Sequence, residues 1–150
     1  LFTVGVYGST DYRPSAFIED TKLIGSLHQN NEVEMFLGMP FAAPPINDLR
    51  WEKPVAWIPE NKKEIIANKF RPGCVQNQRI VNWYKRLILD FGGDPGTFDI
   101  PEFSEDCLYL NLWRPKGLKN NLPVIVYIHG GSNKAGWSYE ANYLGHNIAN

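Results

Sequence analysis

Residues Pro123-Val124-Ile125-Val126-Tyr127-Ile128 form an unbroken apolar run, and His129-Gly130-Gly131-Ser132 follows it directly. No other feature of the chain constrains its fold as much. β-Branched residues are stiff at the first side-chain torsion and favour extended backbone. Apolar side chains at every position, rather than at every second one, fit a strand covered on both faces. Strands of that kind occur in mostly parallel sheets flanked by helices, so the run predicts an α/β architecture. The glycine pair lets the chain turn sharply after the strand and expose successive backbone N–H groups.

The 150 residues suit one domain of ordinary size. Hydrophobic residues make up 43% and charged residues 21%, which excludes a disordered tail, a collagen-like repeat and a membrane bundle. Fifteen Lys and Arg against sixteen Asp and Glu leave a net charge of −1. That balance offers no electrostatic basis for binding nucleic acid or an acidic membrane. No apolar stretch approaches the roughly 18 residues that cross a bilayer. Eight Phe, seven Tyr and five Trp need a deep core or a lined cavity, which a large parent fold supplies more easily. The chain starts at Leu1 without a charged-then-apolar leader, and residues 143–150 read as the middle of a helix with no stop signal. The expectation is a piece of a longer protein.

Phe17 to Gly25 and Val33 to Leu37 flank the polar segment His28-Gln29-Asn30-Asn31, a hairpin pattern. Met39 to Pro45 holds three prolines and is expected to be extended, as is the proline-punctuated path from Trp51 to Pro59. Lys63 to Ala67 reads as a short strand. Gln76 to Asp90 carries Ile80, Trp83, Tyr84, Leu87 and Ile88 at helical spacing, which predicts one buried face. Gly92 to Gly96 ends that helix. Cys107 to Trp113 alternates as a strand, and Lys116 to Asn121 is a polar turn before the apolar run.

The chemistry in view is that of His129 to Ser132. N–H groups in such a turn can hold the negative oxygen formed when a carbonyl is attacked. Taken alone, the tetrapeptide is more often a plain glycine turn than an oxyanion loop, since short motifs match by chance. No GxSxG occurs, so Ser9, Ser15, Ser26, Ser104, Ser132 and Ser138 all lack the setting of a nucleophile elbow. His129 is expected to support the loop by hydrogen bonding, His28 to be a solvated turn residue and His146 to lie on a helix surface. None pairs with a carboxylate at metal-ligand spacing, and neither metal nor cofactor is expected. Cys74 and Cys107, 33 positions apart, are either two reduced core thiols or one disulfide closing a long loop, worth roughly 3–4 kcal/mol.

Three stretches together resemble the carboxylesterase/cholinesterase family, the type-B carboxylesterases of the α/β-hydrolase fold. They are Phe36-Leu37-Gly38-Met39-Pro40-Phe41-Ala42-Ala43-Pro44-Pro45 with Leu49-Arg50-Trp51 after it, Ser104-Glu105-Asp106-Cys107-Leu108-Tyr109-Leu110-Asn111, and Leu122 to Gly131. Their order and spacing agree with the family, and the resemblance runs from about Phe17 onward. Ser132 to Tyr139 is most similar to bacterial members.

The resemblance implies the N-terminal part of one α/β-hydrolase domain over 1–150: the N-terminal hairpin plus the first strands of the central sheet, with the catalytic serine region beyond residue 150. It implies a serine carboxylic ester hydrolase acting on a small-molecule ester. The oxyanion donors would be the N–H groups of Gly131 and Ser132, with Gly130 supporting the loop. Ser132 stands where the family commonly has a third glycine, which restricts the backbone but keeps the N–H. Cys74 lies where the family places the disulfide partner of Cys107, which favours a secreted or periplasmic setting. Arg50 and Glu105 match a family ion pair that ties the early loop to the strand, a structural role, since breaking a buried pair is costly. Thr97 occupies the place of the choline-binding tryptophan, so a cation would lose its ring contact there. Phe98, Trp137 and Tyr139 are candidates to line an apolar acyl or alcohol pocket, or else to pack in the core. The alternative function is that of a non-catalytic relative acting in adhesion or as a scaffold.

Overall fold

A computed structural model of the chain describes residues 12–59, 64–117 and 121–149. Lys63 and the middle of the expected turn from Lys116 to Asn121 lie outside the described residues. Strands β1 (Ser15–Ile18) and β2 (Thr21–Ile24) form a tight antiparallel hairpin. The stretch from Phe17 to Gly25 was expected to be one strand, but Glu19 and Asp20 turn the chain, with Glu19 at φ 50°. A charged pair inside an apolar run is a turn signal that the longer run masks.

Strands β3 (Ser26–Leu27) and β4 (Val33–Pro40) pair antiparallel across the polar turn from His28 to Glu32, as expected. The short strand β5 (Glu64–Ile66) runs parallel to β2. The chain after it then crosses to β4: Ala67 N–H donates to Ile24, and Leu37 N–H to Ala67. Leu23, Phe36, Met39 and Ala67 form the buried cluster where the two sheets meet.

Strand β8 (Tyr109–Pro115) pairs antiparallel with β4 and forms the edge of that sheet, order β3-β4-β8. It starts two residues after Cys107, because the preceding turn is tied locally. Asp106 N–H donates to Ser104 Oγ at 3.1 Å, and Tyr109 Oη donates to Asp106 at 2.7 Å. Buried Glu34 on β4 accepts from the Tyr12 hydroxyl and from Arg114 Nε, the latter at 2.5 Å. Arg114 also donates to Ser15 O at 3.0 Å and so stitches β1 to the second sheet. Removing one partner of such a pair strands a buried charge.

Strands β6 (Gly73–Cys74) and β7 (Phe103–Ser104) form a short parallel pair. Between them lies helix α1 (Arg79–Asp90). Its start falls three residues later than expected, because Asn77 Oδ1 accepts the Arg79 N–H and Gln76 is used elsewhere. Its C-terminus closes as the sequence predicts: Gly93 N–H returns to Ile88 O at 2.8 Å and Gly92 N–H to Leu89 O at 2.9 Å. Val81 and Tyr84 are the buried positions, whereas Trp83, expected on that face, sits at its shoulder and is 52% exposed.

Two expectations fail at the end of the chain. The run from Pro123 to Ile128 forms no strand, and Val124, Ile125, Val126 and Ile128 are 73–84% exposed. Extended propensity makes a strand only when a neighbour completes the ladder, and none of the described residues pairs with this run. Residues 143–149, the described part of the expected helix, are not a continuous helix. Two 3₁₀ turns, Ala141–Tyr143 and Gly145–Asn147, are separated by extended Leu144. Gly and Asn are poor helix formers, and Gly145 packs directly on the Trp113 ring. His146, expected on a helix surface, lies in the second of these 3₁₀ turns, half-buried, and stacks on His28 with ring centroids 4.4 Å apart.

Candidate active site

The loop from His129 to Glu140 folds back on itself. Gly131 has φ +114°, and a Cβ there would lie 1.6 Å from the carbonyl oxygen of Ala135, so only glycine fits. Gly136 has φ +112°, and its missing Cβ leaves room for the His129 ring and the Gly130 carbonyl. Residues 135 and 136 therefore lie against residues 129 to 131. Ser132 and Asn133 continue in the left-handed region at φ 57° and 55°. Successive backbone N–H groups in a turn can form a concavity that suits an anion. None of the described residues accepts a hydrogen bond from the N–H of Gly131 or Ser132. Ser132 is exposed and Gly131 half-buried. His129 Nδ1 lies 2.8 Å from the Gly130 carbonyl oxygen, a contact that requires the proton on Nδ1.

The far arm of the loop is held by three parts of the molecule. Gln76 bonds both main-chain groups of Gly136: Oε1 accepts its N–H at 2.6 Å, and Nε2 donates to its carbonyl at 2.8 Å. Glu140, only 6% exposed, accepts from Trp137 N–H at 3.2 Å and from the Tyr84 hydroxyl of α1 at 2.7 Å. Burial, and then the bond to Glu140, push the Tyr84 phenol well above its ordinary range. It therefore stays a neutral donor to the carboxylate. Asn111 on β8 donates to Ser138 Oγ at 3.0 Å and accepts Gly38 N–H at 2.9 Å, linking the loop to β4.

Cys74 and Cys107 are joined in a disulfide, with Cα atoms 4.9 Å apart. It fixes the segment that carries Gln76 to the turn before β8. Arg50 Nε lies 2.7 Å from Glu105 Oε1, but their side chains are 57% and 41% exposed. The ion pair expected from the sequence is present, and a pair that open is worth at most about 1 kcal/mol.

Phe98, Trp137 and Tyr139 come together in one ring cluster. Trp137 is 4% exposed and sits among Tyr84, Phe98, Phe103 and Tyr139, with ring centroids 6.0–6.5 Å away. Phe98 stacks on Tyr84 at 5.2 Å and Tyr139 on Phe70 at 4.5 Å. An open groove of about 360 Å³ elsewhere is lined by Tyr12, Arg13, Ile24 and Ile66 among others, and by none of these three. Thr97 is exposed, and its hydroxyl donates to Asp94 O at 2.7 Å.

Sequence reasoning missed Gln76, Tyr84 Oη, Asn111 and Glu140. Asn111 carried a signal, as a polar residue in an otherwise apolar-rich alternating strand. Glu140 carried one too, as a lone carboxylate among aromatic residues. Gln76 carried none beyond its place two residues after Cys74.

A protein-family model described as the carboxylesterase family matches residues 14–150. The chain is 34% identical to fumonisin B1 esterase of Sphingopyxis macrogoltabida over 95% of its own length and 25% of that protein's. It is 34% identical to carboxylesterase 1F of Mus musculus, over 91% of this chain and 24% of that one. A solved PNB esterase structure superimposes with a TM-score of 0.73 at 28% identity, covering 90% of this chain and 25% of that one. The chain thus spans about a quarter of the length of these relatives. Its architecture is a portion of the α/β-hydrolase fold. The chain belongs to the carboxylesterase family.

Proposed function

We propose that the protein containing this chain is a serine carboxylesterase, and that residues 1–150 are the N-terminal part of its single α/β-hydrolase domain. In this reading the Gly131 and Ser132 N–H groups bind the oxygen that becomes negative when a serine attacks the ester carbonyl. The observation that carries it is the pair of N–H groups without internal acceptors, on left-handed backbone at the open end of an otherwise anchored loop. Donors fixed in advance at the place where charge develops lower the barrier without reorganising during the reaction. Gly130 supports the turn through its contact with His129. The serine, its acid and its histidine lie elsewhere in the full-length protein, since no GxSxG occurs among these residues.

The substrate is a small neutral ester. Thr97 offers no ring to a quaternary ammonium group, and its hydroxyl is already committed to Asp94. The Cys74–Cys107 disulfide supports a secreted or periplasmic location, where such a bond persists. No helix among the described residues is long and apolar enough to cross a membrane.

The test is to express the full-length protein and compare kcat/KM for p-nitrophenyl acetate and for a choline ester. Turnover of the first with clear preference over the second is the expected result. Absence of turnover on any simple ester would overturn the enzymatic reading in favour of a non-catalytic relative. A choline preference would overturn the pocket argument.

A further inference from the structure

We infer that Gln76 is a positioning residue for the oxyanion loop, and that the Cys74–Cys107 disulfide acts on catalysis through it; this rests on the ester-hydrolase reading. A side-chain amide that accepts the N–H and donates to the C=O of one residue mimics a strand partner and fixes that residue's position and orientation together. Gln76 does this to Gly136, at 2.6 and 2.8 Å, and its Nε2 also lies 3.1 Å from Cys74 O. The third contact holds the amide against its own backbone two residues back, at the disulfide. A chain of contacts therefore runs from the disulfide to Cys74, to Gln76 and to Gly136.

From Gly136 the chain of contacts reaches the donors by packing. A side-chain atom on Gly136 would lie 2.8 Å from the Gly130 carbonyl, and one on Gly131 would lie 1.6 Å from the Ala135 carbonyl. The two arms of the loop touch there with no slack. A displacement of Gly136 is passed to the peptides that carry the Gly131 and Ser132 N–H groups. Gln76 touches neither of those groups, so its effect is on their placement. Misplacing a catalytic donor by about 1 Å can cost as much as 100-fold in rate.

The experiment uses the full-length protein with Gln76→Ala and Gln76→Glu. The second keeps the size and the acceptor but sets a carboxylate oxygen against the Gly136 carbonyl, so it serves if the alanine variant fails to fold. Three quantities are read: kcat and KM for p-nitrophenyl acetate, Ki for a trifluoromethyl ketone that forms a tetrahedral adduct, and amide hydrogen exchange over residues 130–137. The expected result is kcat reduced about 10- to 100-fold in both variants, KM within about twofold, Ki weakened in step with kcat, and faster exchange across the loop. Reducing the disulfide in the wild type should move the same quantities the same way, and should add little in the Gln76→Ala protein. Unchanged kcat and Ki, or loss confined to KM, would overturn the inference. Unchanged exchange in the variants would overturn the clamp even in an active enzyme. A wild-type protein without turnover would instead overturn the ester-hydrolase reading, while exchange still reports on the clamp.

Discussion

Residues 124–128 and residues 135–140 lie seven positions apart, are both rich in apolar side chains, and end in opposite surroundings. Val124, Ile125, Val126 and Ile128 are 73–84% exposed, whereas Ala135, Trp137 and Glu140 are 4–9% exposed. The later segment finds its partners among side chains already in place: Gln76, Tyr84, Asn111 and the ring cluster around Trp137. The earlier one asks for a strand ladder, which no described residue supplies. A loop can thus be buried and oriented by a few polar clamps, while a strand cannot exist without a neighbour. Gly131 and Ser132 stand at the border between the two segments. Their N–H groups have no acceptor among the described residues, and the far side of the loop is held by polar clamps.

That contrast can be broken at its junction. Gly131→Ala in the full-length protein would drive a methyl group into the Ala135 carbonyl at a backbone angle that alanine resists. We expect kcat for p-nitrophenyl acetate to fall about 10²–10³-fold, the usual cost of an oxyanion donor. The fold should persist by circular dichroism. Breaking the held side should show up in stability. Trp137→Ala removes the ring at the centre of the buried cluster and should cost about 3–5 kcal/mol in urea unfolding. The smallest effect is expected far from either segment. Arg50→Ala should change stability by less than about 1 kcal/mol, because both partners of that pair are half-exposed. A loss of several kcal/mol at Arg50 would mean that further parts of the full-length protein bury the pair.

Much of the fold was legible where the signal was local. The turn from His28 to Asn31, the end of α1 at Gly92 and Gly93, and the strand entered through Tyr109 follow from turn, cap and alternation patterns. The disulfide became legible through the family resemblance, since composition alone left two free thiols equally open. Errors arose where the outcome depends on distant residues. The β-branched run needed a neighbouring strand, Trp83 turned to the shoulder of its helix, and Gly145 packed on Trp113 and broke the expected helix. Phe98, Trp137 and Tyr139 were rightly grouped, yet aromatic content does not distinguish a lined cavity from a packed core. Gln76 was invisible for the same reason: its partner Gly136 lies 60 positions away, and an amide that binds main chain leaves no pattern in its neighbours.

The most direct test of the account is a crystal structure of the full-length protein with a trifluoromethyl ketone added to its nucleophile. The tetrahedral oxygen should lie within about 3 Å of both the Gly131 and the Ser132 nitrogen, with Gln76 still bonded to Gly136. An oxygen held by other donors, or a loop in which the Gly131 and Ser132 N–H groups turn inward to protein acceptors, would contradict it.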